Sequence, residues 1–93
     1  MMKKIVLARI YIKNRSAEDF KKHAAVIIKK TRTEKGCLFY SLYQDITRPN
    51  EFIFYEEYAD QNALDIHFNS EYLKTFRAGI GNMMSKESVV EVI

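Results

Sequence analysis

The stretch EFIFYEEYADQNALDIHF, residues 51–68, changes its spacing of apolar side chains halfway along. Its first eight residues alternate with a period of two, as in a strand, and one face of that strand would carry Phe52, Phe54, Glu56 and Tyr58. Asp60 then stands at the position of a helix-capping carboxylate, ahead of a helical pattern over residues 61–68. The stretch therefore predicts a strand that leads directly into a helix.

The segments around this junction predict further strands and helices in a regular order. Alternating or β-rich patterns predict strands over residues 4–13, 37–46, 51–58 and 88–93. Helical spacing predicts helices from Ser16 to near Gly36, over residues 61–68 and over residues 71–81. The order predicts an α+β, ferredoxin-like split βαβ domain over residues 1–93, with a four-stranded antiparallel sheet and helices on one of its faces.

Local signals refine these elements. Ser16 is followed three residues later by Asp19, which resembles a capping box and predicts a capped start for the first helix. The turn signal TRPN, residues 47–50, joins the second and third strands as a hairpin. Alternation in the second strand predicts that Leu38 and Tyr40 share one face.

The sheet face away from the helices would be rich in apolar side chains, among them Phe39, Tyr43, Ile53 and Tyr55. A contiguous surface of this kind is rarely left exposed to water. Two sheets packed face to face would cover it. We therefore expect a homodimer.

Composition excludes several classes of protein. The 93 residues include one cysteine, Cys37, so no internal disulfide can form, and no apolar run is long enough for a membrane span. The net charge of +3 is spread among interspersed acids and bases, which argues against a nucleic-acid partner. Two distant histidines and one cysteine offer no metal-ligand spacing, so no metal is expected. These features favour a cytoplasmic protein with a small-molecule ligand.

Glu56 and His67 are the candidate chemical groups. The strand pattern points Glu56 into the apolar layer, and the helical pattern puts His67 on the stripe that faces the sheet. One interpretation is a general-base pair, in which Glu56 orients the imidazole and His67 takes a proton from the substrate. The other is a buried histidine that merely satisfies a carboxylate. His23 has no such partner, and Cys37 is expected to be an inert buried thiol.

Aromatic side chains on the same elements would form the walls of a substrate pocket. The candidate wall residues are Tyr40, Phe52, Phe54, Tyr58 and Phe76. The hydroxyl groups of Tyr40 and Tyr58 would orient a polar substrate, although aromatic residues in strands more often serve packing alone.

The stretch EKGCLFYSLYQD followed by NEFIFYEEYADQNALDIHFNSEY resembles the antibiotic biosynthesis monooxygenase family. The residues that carry the resemblance are Gly36, Tyr55, Glu56, Tyr58, Asp60, Ala63, Leu64, His67 and Ser70. The resemblance implies a dimeric α+β barrel with a pocket between each sheet and its helices. The chain has no Trp, which argues against the haem-degrading members, and it has Tyr72-Leu73 where many relatives carry a second histidine.

The resemblance and the fold leave three hypotheses for the function. The leading hypothesis is a monooxygenase without cofactor that oxidises a phenol or quinol with dioxygen, with His67 as base. The second is an isomerase or other proton-transfer enzyme on a small, polar or phosphorylated carbonyl compound, which would need cations such as Lys35 or Arg77 in the pocket. The third is a small-molecule-binding dimer without catalysis.

Overall fold

The computed structural model describes residues 2–93, which form one four-stranded antiparallel sheet and three α-helices. The strands are β1 (Lys4–Tyr11), β2 (Cys37–Gln44), β3 (Glu51–Tyr58) and β4 (Val89–Val92). The helices are α1 (Ala17–Thr31), α2 (Gln61–Phe68) and α3 (Glu71–Ile80), with short 3-10 turns at Asn14–Ser16 and Gly81–Met83. The sheet order β2-β3-β1-β4 confirms the predicted ferredoxin-like fold. Within the described residues, none of the helices has the length and apolar character needed to cross a membrane.

The register of the two central strands decides which side chains meet the helices. β1 pairs with β3 so that Val6 lies opposite Glu56 and Ala8 opposite Phe54. Because side chains alternate along a strand, these residues share one face of the sheet. That face is buried, as the sequence pattern of β3 predicts.

The main core lies between this face and two of the helices. α1 contributes Phe20 and α3 contributes Phe76, and the Phe20 ring lies 4.7 Å from that of Phe52, centroid to centroid. Phe76 meets Phe54 edge-on at 5.8 Å. Offset and edge-on aromatic contacts of this kind add to the free energy gained from apolar burial. α2 packs beside this core against Val6.

Helix α1 ends at Thr31, which is earlier than the predicted end near Gly36. Tight turns replace the helix, because the backbone N–H of Glu34 donates to the Thr31 carbonyl at 3.0 Å and that of Cys37 donates to the Glu34 carbonyl at 3.2 Å. Residues 32–36 therefore form a connection between α1 and β2, and Glu34 belongs to that connection.

The predicted capping box at Ser16 does not form. Ser16 closes the 3-10 turn Asn14–Ser16, and its side chain accepts no capping hydrogen bond. An N-cap residue ordinarily has extended backbone angles, whereas Ser16 has φ −105° and ψ −1°. The caps at Asp60 and Ser70 do form, on the N–H groups of Ala63 at 2.9 Å and Leu73 at 3.3 Å.

The first residues of β2 also differ from the predicted alternation. Cys37 pairs with Tyr58 and Phe39 with Glu57, so the intervening Leu38 has no partner and forms a β-bulge. Leu38 is consequently exposed instead of sharing the helix-facing side of Tyr40.

Gly36 allows α2 to approach the start of β2. Its carbonyl accepts a hydrogen bond of 2.8 Å from the Ala59 N–H. A Cβ atom at this position would collide with the Ala63 side chain and come within 3.3 Å of the Ala63 Cα. The contact places α2 against the sheet.

We predict that Gly36→Ala lowers the free energy of unfolding by about 1–3 kcal/mol, because the added methyl group forces α2 away from the sheet. Gly81→Ala is the matched control, since nothing lies within 4 Å of a Cβ at Gly81. Urea denaturation monitored by circular dichroism measures both variants. Equal stability of Gly36→Ala and the parent chain would contradict the close contact.

Candidate functional site

A cavity of about 270 Å³ lies between the helix-facing side of the sheet and the helices α2 and α3. We call it the sheet–helix cavity. The side chains that line it are mostly apolar: Val6, Ala8, Ile10, Tyr40, Phe54, Phe68, Leu73, Phe76, Ile80, Met84 and Val90. Its polar and charged lining residues are Glu56, His67, Arg77 and Ser88. The cavity is therefore an apolar hollow with a few groups capable of chemistry.

Helix α2 brings His67 to this cavity. The Asp60 carboxylate caps its first turn, and Ala63, Leu64 and His67 form its buried face. The imidazole is only 1% exposed and is packed among aromatic rings, with centroids 5.4 Å from Tyr40 and 5.3 Å from Tyr58. Its position is therefore fixed by packing as well as by hydrogen bonds.

The imidazole is oriented by Glu34. The Nδ1 atom of His67 lies 3.0 Å from Glu34 Oε2, and the hydroxyl group of Tyr72 donates to the same oxygen. Because a carboxylate oxygen accepts hydrogen bonds, Nδ1 carries the hydrogen and the neutral ring keeps its lone pair on Nε2. The Glu34 side chain is 7% exposed, so this contact is shielded from water.

Glu56 lies on the other side of the ring. Its Oε1 atom is 3.8 Å from His67 Nε2, beyond hydrogen-bonding distance, and accepts a hydrogen bond of 2.6 Å from the Tyr58 hydroxyl group. Burial raises the pKa of Glu56 to about 7, against the opposing effect of the Tyr58 hydrogen bond. Burial also lowers the pKa of His67, against the raising effect of Glu34. Near neutral pH the site thus pairs a neutral imidazole with a carboxyl group close to its titration point.

The arrangement is suited to proton transfer. His67 and Glu56 both line the cavity, whereas Glu34, on the Nδ1 side of the ring, does not. A general acid or base works best when its pKa lies near the working pH. Within residues 2–93, no cluster of histidine, cysteine, aspartate or glutamate side chains is arranged to hold a metal ion.

The structure places the predicted wall residues in two groups. Tyr40, Phe54 and Phe76 line the cavity. Phe52 and Tyr58 do not, because Phe52 packs against Phe20 deeper in the core and Tyr58 lies behind Glu56 as its hydrogen-bond donor. Burial raises the pKa of both Tyr40 and Tyr58, so their hydroxyl groups stay protonated.

Glu34 and Tyr72 were not predicted from the sequence. The orienting role was predicted for Glu56, whereas it is Glu34 that accepts the hydrogen bond donated by Nδ1. Glu34 and His67 lie 33 positions apart, and no spacing rule joins a connection to a helix over that range. The sequence did offer one signal, because Gly36, which belongs to the family motif, lies two residues after Glu34.

The other residues considered from the sequence are Cys37, His23, Lys35 and Arg77, and of these Arg77 alone lines the cavity. Cys37 packs against the core, and burial with the negative charge of Glu34 raises its thiol pKa to about 11, as expected for an unreactive thiol. His23 lies on α1 against Gly79. Lys35 borders a separate surface groove with Asp60, whereas Arg77 lines the sheet–helix cavity.

We predict that Glu56 makes stability depend on pH. Its native pKa of about 7 exceeds the ordinary value of 4.5, so its contribution is complete below pH 4.5 and is lost as the pH rises through 7. Between about pH 5 and pH 7.5 the free energy of unfolding of the parent chain should fall by roughly 1–3 kcal/mol relative to that of Glu56→Gln. Urea titrations at both pH values measure the difference. The exposed Glu18→Gln should keep the parent slope, and the same slope in Glu56→Gln would contradict the prediction.

Comparison with known proteins gives a consistent result. A family model described as antibiotic biosynthesis monooxygenase matches residues 4–79. The chain is 31% identical over 88 residues to the uncharacterized protein sll1783 of Synechocystis sp., covering 95% of this chain and 60% of that protein. It is 33% identical over 67 residues to Rv0793 of Mycobacterium tuberculosis, provisionally named a monooxygenase, covering 72% of this chain and 65% of that protein. The chain thus spans less than two thirds of the length of these two relatives.

Solved structures agree with the fold. A crystal structure of an antibiotic biosynthesis monooxygenase superposes with a TM-score of 0.92 at 32% identity, covering 99% of this chain and 96% of the other. A conserved protein from Methanosarcina mazei Go1 superposes with a TM-score of 0.95 at 26% identity, covering 100% of this chain and 92% of the other. Sequence pattern, fold and relatives agree, and the chain belongs to the antibiotic biosynthesis monooxygenase family.

Proposed function

We propose that this protein is a monooxygenase that oxidises a small phenolic or quinol-type substrate with dioxygen and needs no cofactor. The observation that carries the proposal is the neutral imidazole of His67, whose Nε2 lone pair borders an apolar cavity while Glu34 holds Nδ1. A base in a water-poor cavity is the minimum that such a reaction requires of the protein.

The cavity walls would hold the substrate ring. Tyr40, Phe54 and Phe76 offer aromatic surface on which a planar ring can stack or pack edge-on. The apolar walls also exclude water from the reacting atoms. The hydroxyl group of the substrate would then point to the polar inner end, where His67 and Glu56 are 1% and 4% exposed. Positioning of this kind lowers the entropic part of the barrier.

His67 would take the proton of the substrate hydroxyl group on Nε2. The resulting phenolate is a far better electron donor than the phenol. The imidazolium ion formed in this step lies between Glu34 and Glu56, at 3.0 Å and 3.8 Å, and carboxylate charge at these positions would stabilise it. Glu34 and Tyr72 act as positioning residues, since they touch the imidazole and its partner but do not border the cavity.

The phenolate would supply the electrons for dioxygen. A bond forms between a ring carbon and one oxygen atom, and the imidazolium returns its proton to the distal oxygen to give a hydroperoxide. The O–O bond then breaks as the C–H electron pair of that carbon moves into a new C=O bond. The hydroxyl group and the ring proton leave together as water. A phenol and dioxygen thus give a quinone and water, and no external reductant is consumed.

The location of Arg77 favours a second candidate function. A proton-transfer enzyme that acts on an anionic carbonyl compound needs a cation in its pocket, and Arg77 lines the cavity that contains His67. In that reaction Glu56 and His67 would move a proton between two carbon atoms. Turnover without oxygen consumption distinguishes this function from oxygenation.

We predict that His67→Ala lowers turnover on a phenol or quinol substrate by about 10²–10⁴-fold, because the base is removed. An oxygen electrode with a panel of phenols and quinols measures the rate. His23→Ala changes the chain's other histidine, on α1 outside the cavity, and should keep the parent rate. An unaltered rate in His67→Ala would defeat the assignment of the base.

We also propose that two copies pack through the sheet face opposite the helices, here called the open face. Phe39 and Tyr43 on this face are 42% and 51% exposed, and the Phe39 ring meets Tyr55 edge-on at 5.8 Å. Its charged groups pair within the chain, Lys3 with Glu57 at 3.0 Å and Arg9 with Glu91. A second copy can therefore approach this apolar face without repulsion between unpaired like charges.

The dimer is tested by charging the open face. We expect the parent chain to sediment at twice the monomer mass, and the double variant Phe39→Lys/Tyr43→Lys to sediment as a monomer, since two buried cations would oppose association. Analytical ultracentrifugation measures both. Ile46→Lys is the control, because Ile46 is 97% exposed at the tip of the β2–β3 hairpin and does not belong to the open face. A monomeric parent chain would refute the proposal.

A further inference from the structure

We propose that the substrate carries a carboxylate at the end opposite its ring hydroxyl group, and that Arg77 binds this carboxylate at the cavity mouth. The inference rests on the proposed function in one respect, which is that the hydroxyl group faces His67. It adds a substrate class, a planar hydroxy acid of one or two rings, and a residue that selects it.

The position of Arg77 sets it apart from the other charged side chains of α3. It follows Phe76 directly and lies one turn after Leu73 and one turn before Ile80, three residues that are buried against the core. Arg77 itself is exposed yet lines the cavity. Its guanidinium group therefore stands at the boundary between the cavity and the solvent.

Arg77 has no partner of its own among residues 2–93. Lys74, one turn earlier, pairs with Glu71 at 3.2 Å, whereas none of the ion pairs or side-chain hydrogen bonds of the described residues includes Arg77. The charge of Arg77 nevertheless contributes to lowering the pKa of Glu56 and of His67, although burial is the main influence on both. The guanidinium thus acts across the cavity on the acid–base pair without touching it, and the space between them is open to a ligand.

The two ends of the cavity differ in chemistry. The inner end holds His67 and Glu56, both nearly inaccessible, and the mouth holds Arg77 and Ser88. The walls between them are apolar or aromatic. A complementary ligand has a hydroxyl group at one end, a flat apolar body, and a negatively charged hydrogen-bond acceptor at the other end. The volume of about 270 Å³ lies just below the range of about 300–1,000 Å³ of drug-sized ligand sites, which suits one or two rings.

The charge count favours a monoanion. One guanidinium group binds one carboxylate through two parallel hydrogen bonds. A phosphate monoester carries nearly two charges and would call for a second cation. Lys35, the other cation considered for the pocket, borders the separate groove near Asp60 and does not line the cavity. The ligand is therefore a carboxylate and not a phosphate.

Matched ligands test the inference. 6-Hydroxy-2-naphthoate, 2-naphthol and 6-hydroxy-2-naphthyl phosphate share a ring system and a hydroxyl group, and they differ in the substituent at the opposite end, which is a carboxylate, a hydrogen atom or a phosphate. We expect the parent chain to bind the hydroxynaphthoate about tenfold more tightly than the naphthol, as measured by isothermal titration calorimetry. Arg77→Gln should bind the two about equally, and Arg77→Lys should keep part of the preference because the bidentate contact is lost.

Controls separate this inference from the proposed function. Lys74→Gln lies on the same helix outside the cavity and should keep the tenfold preference. An unchanged preference in Arg77→Gln, binding of neither naphthoate nor naphthol, or tighter binding of the phosphate would each overturn the inference. If the binding preference for the hydroxynaphthoate depends on Arg77 but no oxygen is taken up, the inference is supported and oxygenation is refuted. Oxygen uptake with 2-naphthol that is equal in the parent chain and Arg77→Gln, together with no preference in binding, would refute only the inference.

Discussion

The hydrogen bond between His67 Nδ1 and Glu34 Oε2 is the contact on which the proposed chemistry depends. It fixes the hydrogen on Nδ1 and so leaves the Nε2 lone pair toward the cavity. It also ties helix α2 to the connection between α1 and β2, a second link beside the packing of Gly36 on Ala63. Without it the ring could take the other tautomer, and the base proposed for the cavity would be lost.

The fold was predictable because its signals are local. Alternation in β3 and the cap at Asp60 lie within one stretch of chain, and the structure confirms both. Glu34 was not predictable in the same way. Its place depends on where α1 ends, and helix ends are poorly marked in a sequence, here being set by turn hydrogen bonds after Thr31. A contact between residues 34 and 67 then requires the tertiary fold itself.

The cavity wall shows a second limit of sequence patterns. Alternation correctly predicts that Phe52, Phe54 and Tyr58 face the helices. It does not predict which part of the space between sheet and helices is left without side chains. The Phe20 ring packs on Phe52, and α2 covers Tyr58. Of these three residues of β3, Phe54 is therefore the one that borders the cavity. The bulge at Leu38 is a comparable case, because it leaves Leu38 exposed against the predicted alternation and no sequence pattern marks its position.

Burial of the side chains of Glu34, Glu56 and His67 reduces the stability of the fold, and this burial needs an explanation. Two carboxyl groups and an imidazole are buried together, and the Oε1 atom of Glu34 is buried without a hydrogen-bond partner among residues 2–93. Tyr58 and Tyr72 each donate to one carboxyl group, which offsets part of the penalty. Apolar residues of similar volume would often serve stability equally well. The proton transfer proposed above would account for a buried group of this kind bordering an open cavity, since groups with shifted pKa values gather at functional sites.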